Sequence, residues 1–149
     1  MQKTLTFHSK DMYIQLSASA EQQSKALPAT LVIEIQIYFS CLLGKRLAFY
    51  SNENIENTYS LDKETFKAIL SDSQTVTDNI KLRFNTVMTK ACSVSDQAGP
   101  PPVTDFKIAN QKPYVPSWLT IDYKNGTWSG KYGWDKDKQN ISNTRQLTV

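Results

Sequence analysis

Any His-dependent catalytic group in this chain must use His8, its one histidine, with Cys41 or Cys92 as the nucleophile. A paired-carboxylate mechanism would instead need two of the 14 acids to meet in a cleft. A Cys–His pair generates a thiolate nucleophile, and Asp11 is near enough in sequence to orient the His8 ring. The patterning argues against that pairing. His8 falls on the polar side of a short alternating segment with Leu5 and Phe7, whereas Cys41 falls on the apolar face of another. One histidine and two cysteines 51 residues apart also make a poor metal cage and a poor disulfide framework. The chain has no Gly-x-Gly-x-x-Gly, no P-loop and no Gly-x-Ser-x-Gly, and its five glycines leave little for phosphate-cradling loops. No catalytic residue, metal ligand or cofactor is assigned, and the cysteines read as reduced, buried thiols.

Cations offer a second chemistry. Lys81 and Arg83 alternate outward along a segment in which Ile80, Leu82 and Phe84 turn inward, with Lys90 further along, and Lys131 joins them from a later segment. Residues 107–149 hold seven basic and three acidic side chains, against ten and eleven in residues 1–106, so the +3 formal charge is concentrated toward the C-terminus. A basic surface carrying aromatic rings suits single-stranded nucleic acid, because cations follow the phosphates while rings stack on bases. Outward Lys and Arg also keep a sheet soluble and guard its edge. Nucleic-acid binding through Lys81, Arg83 and Lys131 is therefore the alternative reading.

Aromatic residues give the sharpest local signal. Six of the 16 aromatics, all three tryptophans among them, lie between Tyr114 and Trp134. Asn125-Gly126 sits at the centre of this stretch, and a two-residue type I′ turn needs positive φ at both positions. That turn predicts a hairpin with Lys124 facing Thr127, Tyr123 facing Trp128, Ile121 facing Gly130 and Leu119 facing Tyr132. One face then holds Leu119, Ile121, Tyr123, Trp128, Tyr132 and Trp134, and the other holds Thr120, Asp122, Lys124, Thr127, Ser129 and Lys131. Trp118 falls on the polar face. Gly130 leaves space beside Ile121, either for a core side chain or for a small ligand beneath the hairpin. Trp118, Trp128, Tyr132 and Trp134 are the candidates for an interaction surface. Locally, Pro116-Ser117-Trp118-Leu119 with Gly126-Thr127-Trp128-Ser129-Gly130 resembles the end of a cadherin-like immunoglobulin repeat. Lys131 precedes Tyr132 where that family has a proline, and the resemblance implies a hairpin without assigning family or calcium binding.

The elements that must position these residues follow from periodicity. Leu5–Phe7, Met12–Leu16 and Leu31–Leu43 alternate as strands, the last with Ile33, Ile35, Ile37, Phe39 and Cys41 on one face. Gly44-Lys45-Arg46 reads as a three-residue turn that sets Leu47 opposite Leu43 and Phe49 opposite Cys41, so that the apolar faces match. Ser19 and Gln22 stand at capping-box spacing for a short helix ending before Pro28. Asp62–Leu70 suits a helix, with Asp62 as cap and Phe66, Ile69 and Leu70 as its apolar stripe. Five of six prolines fall between Gln97 and Pro116, making a stiff connection that wraps the domain, and residues 135–149 form a polar tail.

The expectation is one α+β domain of 149 residues, dominated by a mostly antiparallel sheet of about seven strands, with one main helix near residues 62–70. The first residues lack the apolar core of a signal peptide, and Leu31–Leu43 is too short and polar to cross a bilayer, so cytoplasm and no membrane contact are expected. Asn125-Gly126-Thr127 and Asn140-Ile141-Ser142 then read as chance sequons. The leading functional expectation is a non-enzymatic interaction or assembly module, acting as a homo-oligomer or with a protein partner. Nucleic-acid binding follows it, and a small enzyme or ligand carrier with a pocket beneath the hairpin comes third.

Overall fold

Side chains of period two write most of this chain into strands, and two sheets bury the apolar sides of those strands against each other. A computed structural model describes residues 1–39, 43–53, 55–89, 103–105 and 108–134. The first sheet contains β1 (Gln2–Phe7), β2 (Lys10–Leu16), β9 (Trp118–Lys124) and β10 (Thr127–Gly133), in the order β1-β2-β9-β10. The second contains β3 (Leu31–Phe39), β4 (Leu43–Ser51), β5 (Tyr59–Ser60), β6 (Gln74–Thr77) and β7 (Ile80–Thr89), in the order β5-β4-β3-β7-β6. A further strand, β8 (Val103–Asp105), pairs antiparallel with β7.

The domain is thus α+β and β-dominated, as expected. It has ten strands among the described residues where about seven were expected, and both sheets are mixed. β2–β9, β3–β7 and β4–β5 are parallel, while the other five pairings are antiparallel. Parallel pairing needs a crossover, which short-range periodicity does not reveal.

The main core lies between the sheets. Met12, Ile14 and Leu16 from β2 and Leu119 and Ile121 from β9 meet Ile33, Ile35 and Ile37 from β3 and Leu82 and Phe84 from β7. Each such side chain contributes on the order of 1.5–3 kcal/mol through burial. A smaller core lies on the other face of the second sheet. There Val32, Ala48 and Tyr50 are covered by Phe66 and Ile69 of α2 (Lys63–Ser71).

Both helices begin at a side-chain cap. Asp62 accepts from the Thr65 backbone N–H at 2.8 Å, and that bond holds its carboxyl below the usual value. α1 (Ala18–Ala26) begins at Ser17, whose hydroxyl accepts from Ala20 N–H at 3.1 Å. The cap is therefore Ser17 and not Ser19. Ser19 is left to donate to the Tyr123 carbonyl at 2.8 Å and, like Ser17, to Asp122. These bonds tie α1 to β9, and the Ser17 hydroxyl is the largest cause of a lowered Asp122 pKa.

Three further expectations are corrected. The β3–β4 connection comprises residues 40–42, which lie outside the described residues, and Gly44-Lys45-Arg46 is strand. Leu47 faces Ile35 and Phe49 faces Ile33, so a three-residue connection does match the apolar faces, four residues earlier than expected. Gly44 is a strand glycine because a side chain there would collide with the Tyr38 ring opposite it. His8 stands in the β1–β2 turn, where it and Ser9 take positive φ of 50° and 65°. Cys41, Cys92, Lys90, residues 97–102 and 106–107 of the proline-rich connection, and residues 135–149 lie outside the described residues.

Candidate functional site

The 118–133 hairpin forms in the expected register. Asn125 and Gly126 have φ of 53° and 76°, and Lys124–Thr127, Tyr123–Trp128, Ile121–Gly130 and Leu119–Tyr132 are partners. Tyr123 and Trp128 share the inner face with ring centroids 4.9 Å apart, and Tyr132 meets Trp134 edge-on at 6.1 Å. The space beside Gly130 is filled by Leu47 of β4, whose Cδ1 would lie 2.8 Å from any added Cβ. Leu47 thus fills the space directly beside Gly130, as a core side chain was expected to do.

Burial separates the four aromatic candidates. Trp128 and Tyr132 are each 4% exposed and belong to the main core, so neither presents a surface. Trp118 and Trp134 are half-buried. Trp118 sits at the start of β9 opposite Gly133, and its indole Nε1 is buried without a hydrogen-bond partner.

Tyr132 does a different job from the one its ring suggested. Its hydroxyl accepts from the Arg46 backbone N–H at 2.8 Å and donates to the Gln36 carbonyl at 2.9 Å, which ties β10 to β4 and β3. Burial pushes its pKa well above the ordinary tyrosine value. Lys45 completes the joint: Nζ donates to the Tyr132 carbonyl at 2.9 Å and lies 5.3 Å from the Tyr132 ring centre and 5.4 Å from that of Trp134. The opposite side of the sandwich is joined in the same manner, with Lys3 Nζ on the Thr75 carbonyl at 2.9 Å and Gln74 Nε2 on the Thr6 carbonyl at 2.6 Å.

At the β4/β10 side the two sheets leave a groove of about 360 Å³. Lys45, Arg46 and Leu47 line it from β4, and Gly130, Lys131 and Tyr132 line it from β10, with Trp118 behind them. Among the described residues the lining holds three cations and no carboxylate. β10 is the last strand of its sheet, so its outer side has no strand partner among the described residues. A two-residue turn makes Lys124–Thr127 a hydrogen-bonded pair, and the alternation then turns the N–H and C=O of Trp128, Gly130 and Tyr132 away from β9. Asn57 Nδ2 holds the Gly126 carbonyl at 2.6 Å near one end of this edge, and Lys45 holds that of Tyr132 near the other. Gly130 lies between them, half-buried and open to the groove.

The basic candidates are not gathered on one surface. Lys131 is on the hairpin's outer face, whereas Lys81 and Arg83 are on β7 in the second sheet, on the face that carries α2. Lys81 donates to the Thr75 hydroxyl at 2.6 Å. Arg83 is paired with Glu34, its register partner on β3, and with Asp72 at the end of α2. Burial opposes the Arg83 charge, but the Glu34 charge and the bonds to both carboxylates outweigh it, raising its pKa. Gln36 extends this network, donating to Glu34 at 2.8 Å and to the Tyr50 hydroxyl at 3.1 Å. Sequence reasoning missed it, because Glu34 and Gln36 looked like the solvent face of an alternating strand. The signal available was Arg83, at the same height on a neighbouring strand.

His8 is exposed, with its ring edge-on to Phe84 at 5.8 Å. Among the described residues no group of three or more His, Cys, Asp or Glu is placed to hold a metal ion, and no helix is long and apolar enough to cross a membrane. No family model, curated protein or solved structure matches this chain.

Proposed function

We propose that this chain is a non-enzymatic protein-interaction module and that its contact face is the β4/β10 groove. One observation carries the reading: among the described residues the outer edge of β10 is unpaired at Gly130 and opens onto a groove lined by Lys45, Arg46 and Lys131. Strand edges left open are templates for another chain, and proteins ordinarily cover or block them. Here the edge is anchored on either side of Gly130, and no described strand covers it between. Trp118 adds an aromatic wall, a residue type enriched at interaction hot spots.

The test compares full-length wild type with Lys131→Glu as bait in extract of the native cell. Proteins recovered by wild type and lost with the variant, at equal melting temperature, support this face. Identical recovery by both rejects it.

A further inference from the structure

We infer that the partner presents an extended acidic segment, whose backbone adds to β10 at Gly130 and whose carboxylates meet Arg46 and Lys131. This rests on the groove being the contact face. The unused groups at the groove specify the chemistry. Gly130 directs one N–H and one C=O outward, so its complement must supply an acceptor and a donor together, as a peptide backbone in strand addition does. A DNA backbone supplies acceptors only, and an RNA backbone adds only the 2′-hydroxyl as a donor, not the paired donor and acceptor of a peptide unit. The remaining groups are the cations Arg46 and Lys131, both donors, with no acid among the described residues that line the groove. Side chains on one face of an added strand repeat about every 6.6–6.8 Å, so acids at alternate positions point to the same wall. A second copy of this chain is a poor complement, because β10 edge against β10 edge would bring Lys131 toward Lys131.

The experiment titrates the full chain with synthetic octapeptides at low salt and follows backbone amide and indole N–H resonances. An octapeptide of alternating Val and Glu should shift Gly130, Lys131 and the Trp118 indole and slow exchange of the Gly130 amide. Lys131→Glu should weaken that binding about fivefold, the upper range for one exposed ion pair. Alternating Val and Lys should shift nothing. Equal binding of the Val/Lys peptide, shifts confined to other strands, or an oligothymidylate that slows the Gly130 amide equally would each overturn the inference. So would a doubled solution mass with these resonances already perturbed. Photo-crosslinking from position 131 in the native cell separates the two claims. Adducts there without binding of the acidic peptide remove the acidic strand alone; no adducts remove the contact face as well.

Discussion

Leu47 occupies the place of the side chain that Gly130 lacks. A Cβ on Gly130 would stand 2.8 Å from Leu47 Cδ1 and 2.6 Å from the Thr120 carbonyl oxygen. The backbone oxygen has little freedom to retreat, so glycine at this position sets how closely the sheets approach beside the groove. Gly130→Ala should cost about 1–3 kcal/mol. Urea denaturation checks this, with Ser129→Ala on the exposed face as a control expected within about 0.5 kcal/mol of wild type.

The Tyr132 hydroxyl is the joint between the hairpin and the second sheet. Tyr132→Phe keeps the ring and its packing but removes the acceptor for the Arg46 N–H and the donor to the Gln36 carbonyl, and Gln36 is fully buried from water. A loss of about 1–3 kcal/mol in equilibrium unfolding is expected, with faster exchange of the Arg46 amide.

Glu34 and Arg83 test whether a buried pair is structural. The Glu34 side chain is 5% exposed, so Arg83→Met leaves a carboxylate with no cation and should cost about 3–5 kcal/mol. The double change Glu34→Leu with Arg83→Met should be considerably closer to wild type, since it removes both charges. Thermal or denaturant unfolding of the three proteins decides it.

Alkaline pH should weaken the fold through two tyrosines. Burial, and then the neighbouring Glu34 charge, push Tyr50 up to about 12, while burial raises Tyr132 as well. Folding therefore favours the neutral phenol. The contribution is complete below the unfolded pKa of about 10 and declines as pH rises toward 12. Tyr50→Phe should flatten this part of the stability profile, measured by denaturation between pH 9 and pH 12.

The hairpin was legible because two local rules agree there: Asn125-Gly126 selects a turn, and the turn selects which side chains share a face. The β3–β4 connection was legible in length only. Parity makes a three-residue loop at either place match Leu47 and Phe49 to the apolar face of β3, so alternation alone cannot choose between residues 40–42 and 44–46. Gly44 misled because glycine marks a turn or a crowded strand, and the Tyr38 ring that crowds it is a tertiary fact. The groove was not legible at all. It depends on which strands stand at or beside the end of each sheet, and the parallel β2–β9 and β3–β7 pairings that set the two orders join segments far apart in the chain. The buried Glu34–Arg83 pair was hidden for the same reason, since α2 covers a face that reads as solvent-exposed.

The contact face is the claim on which the functional account stands, and photo-crosslinking in the native cell tests it most directly. A photoreactive phenylalanine analogue would replace Lys131 at the groove or, as a control, Lys67 on the exposed face of α2. The account predicts a discrete adduct from position 131 that is absent from position 67. No adduct at 131, or the same adducts from both positions, would contradict it.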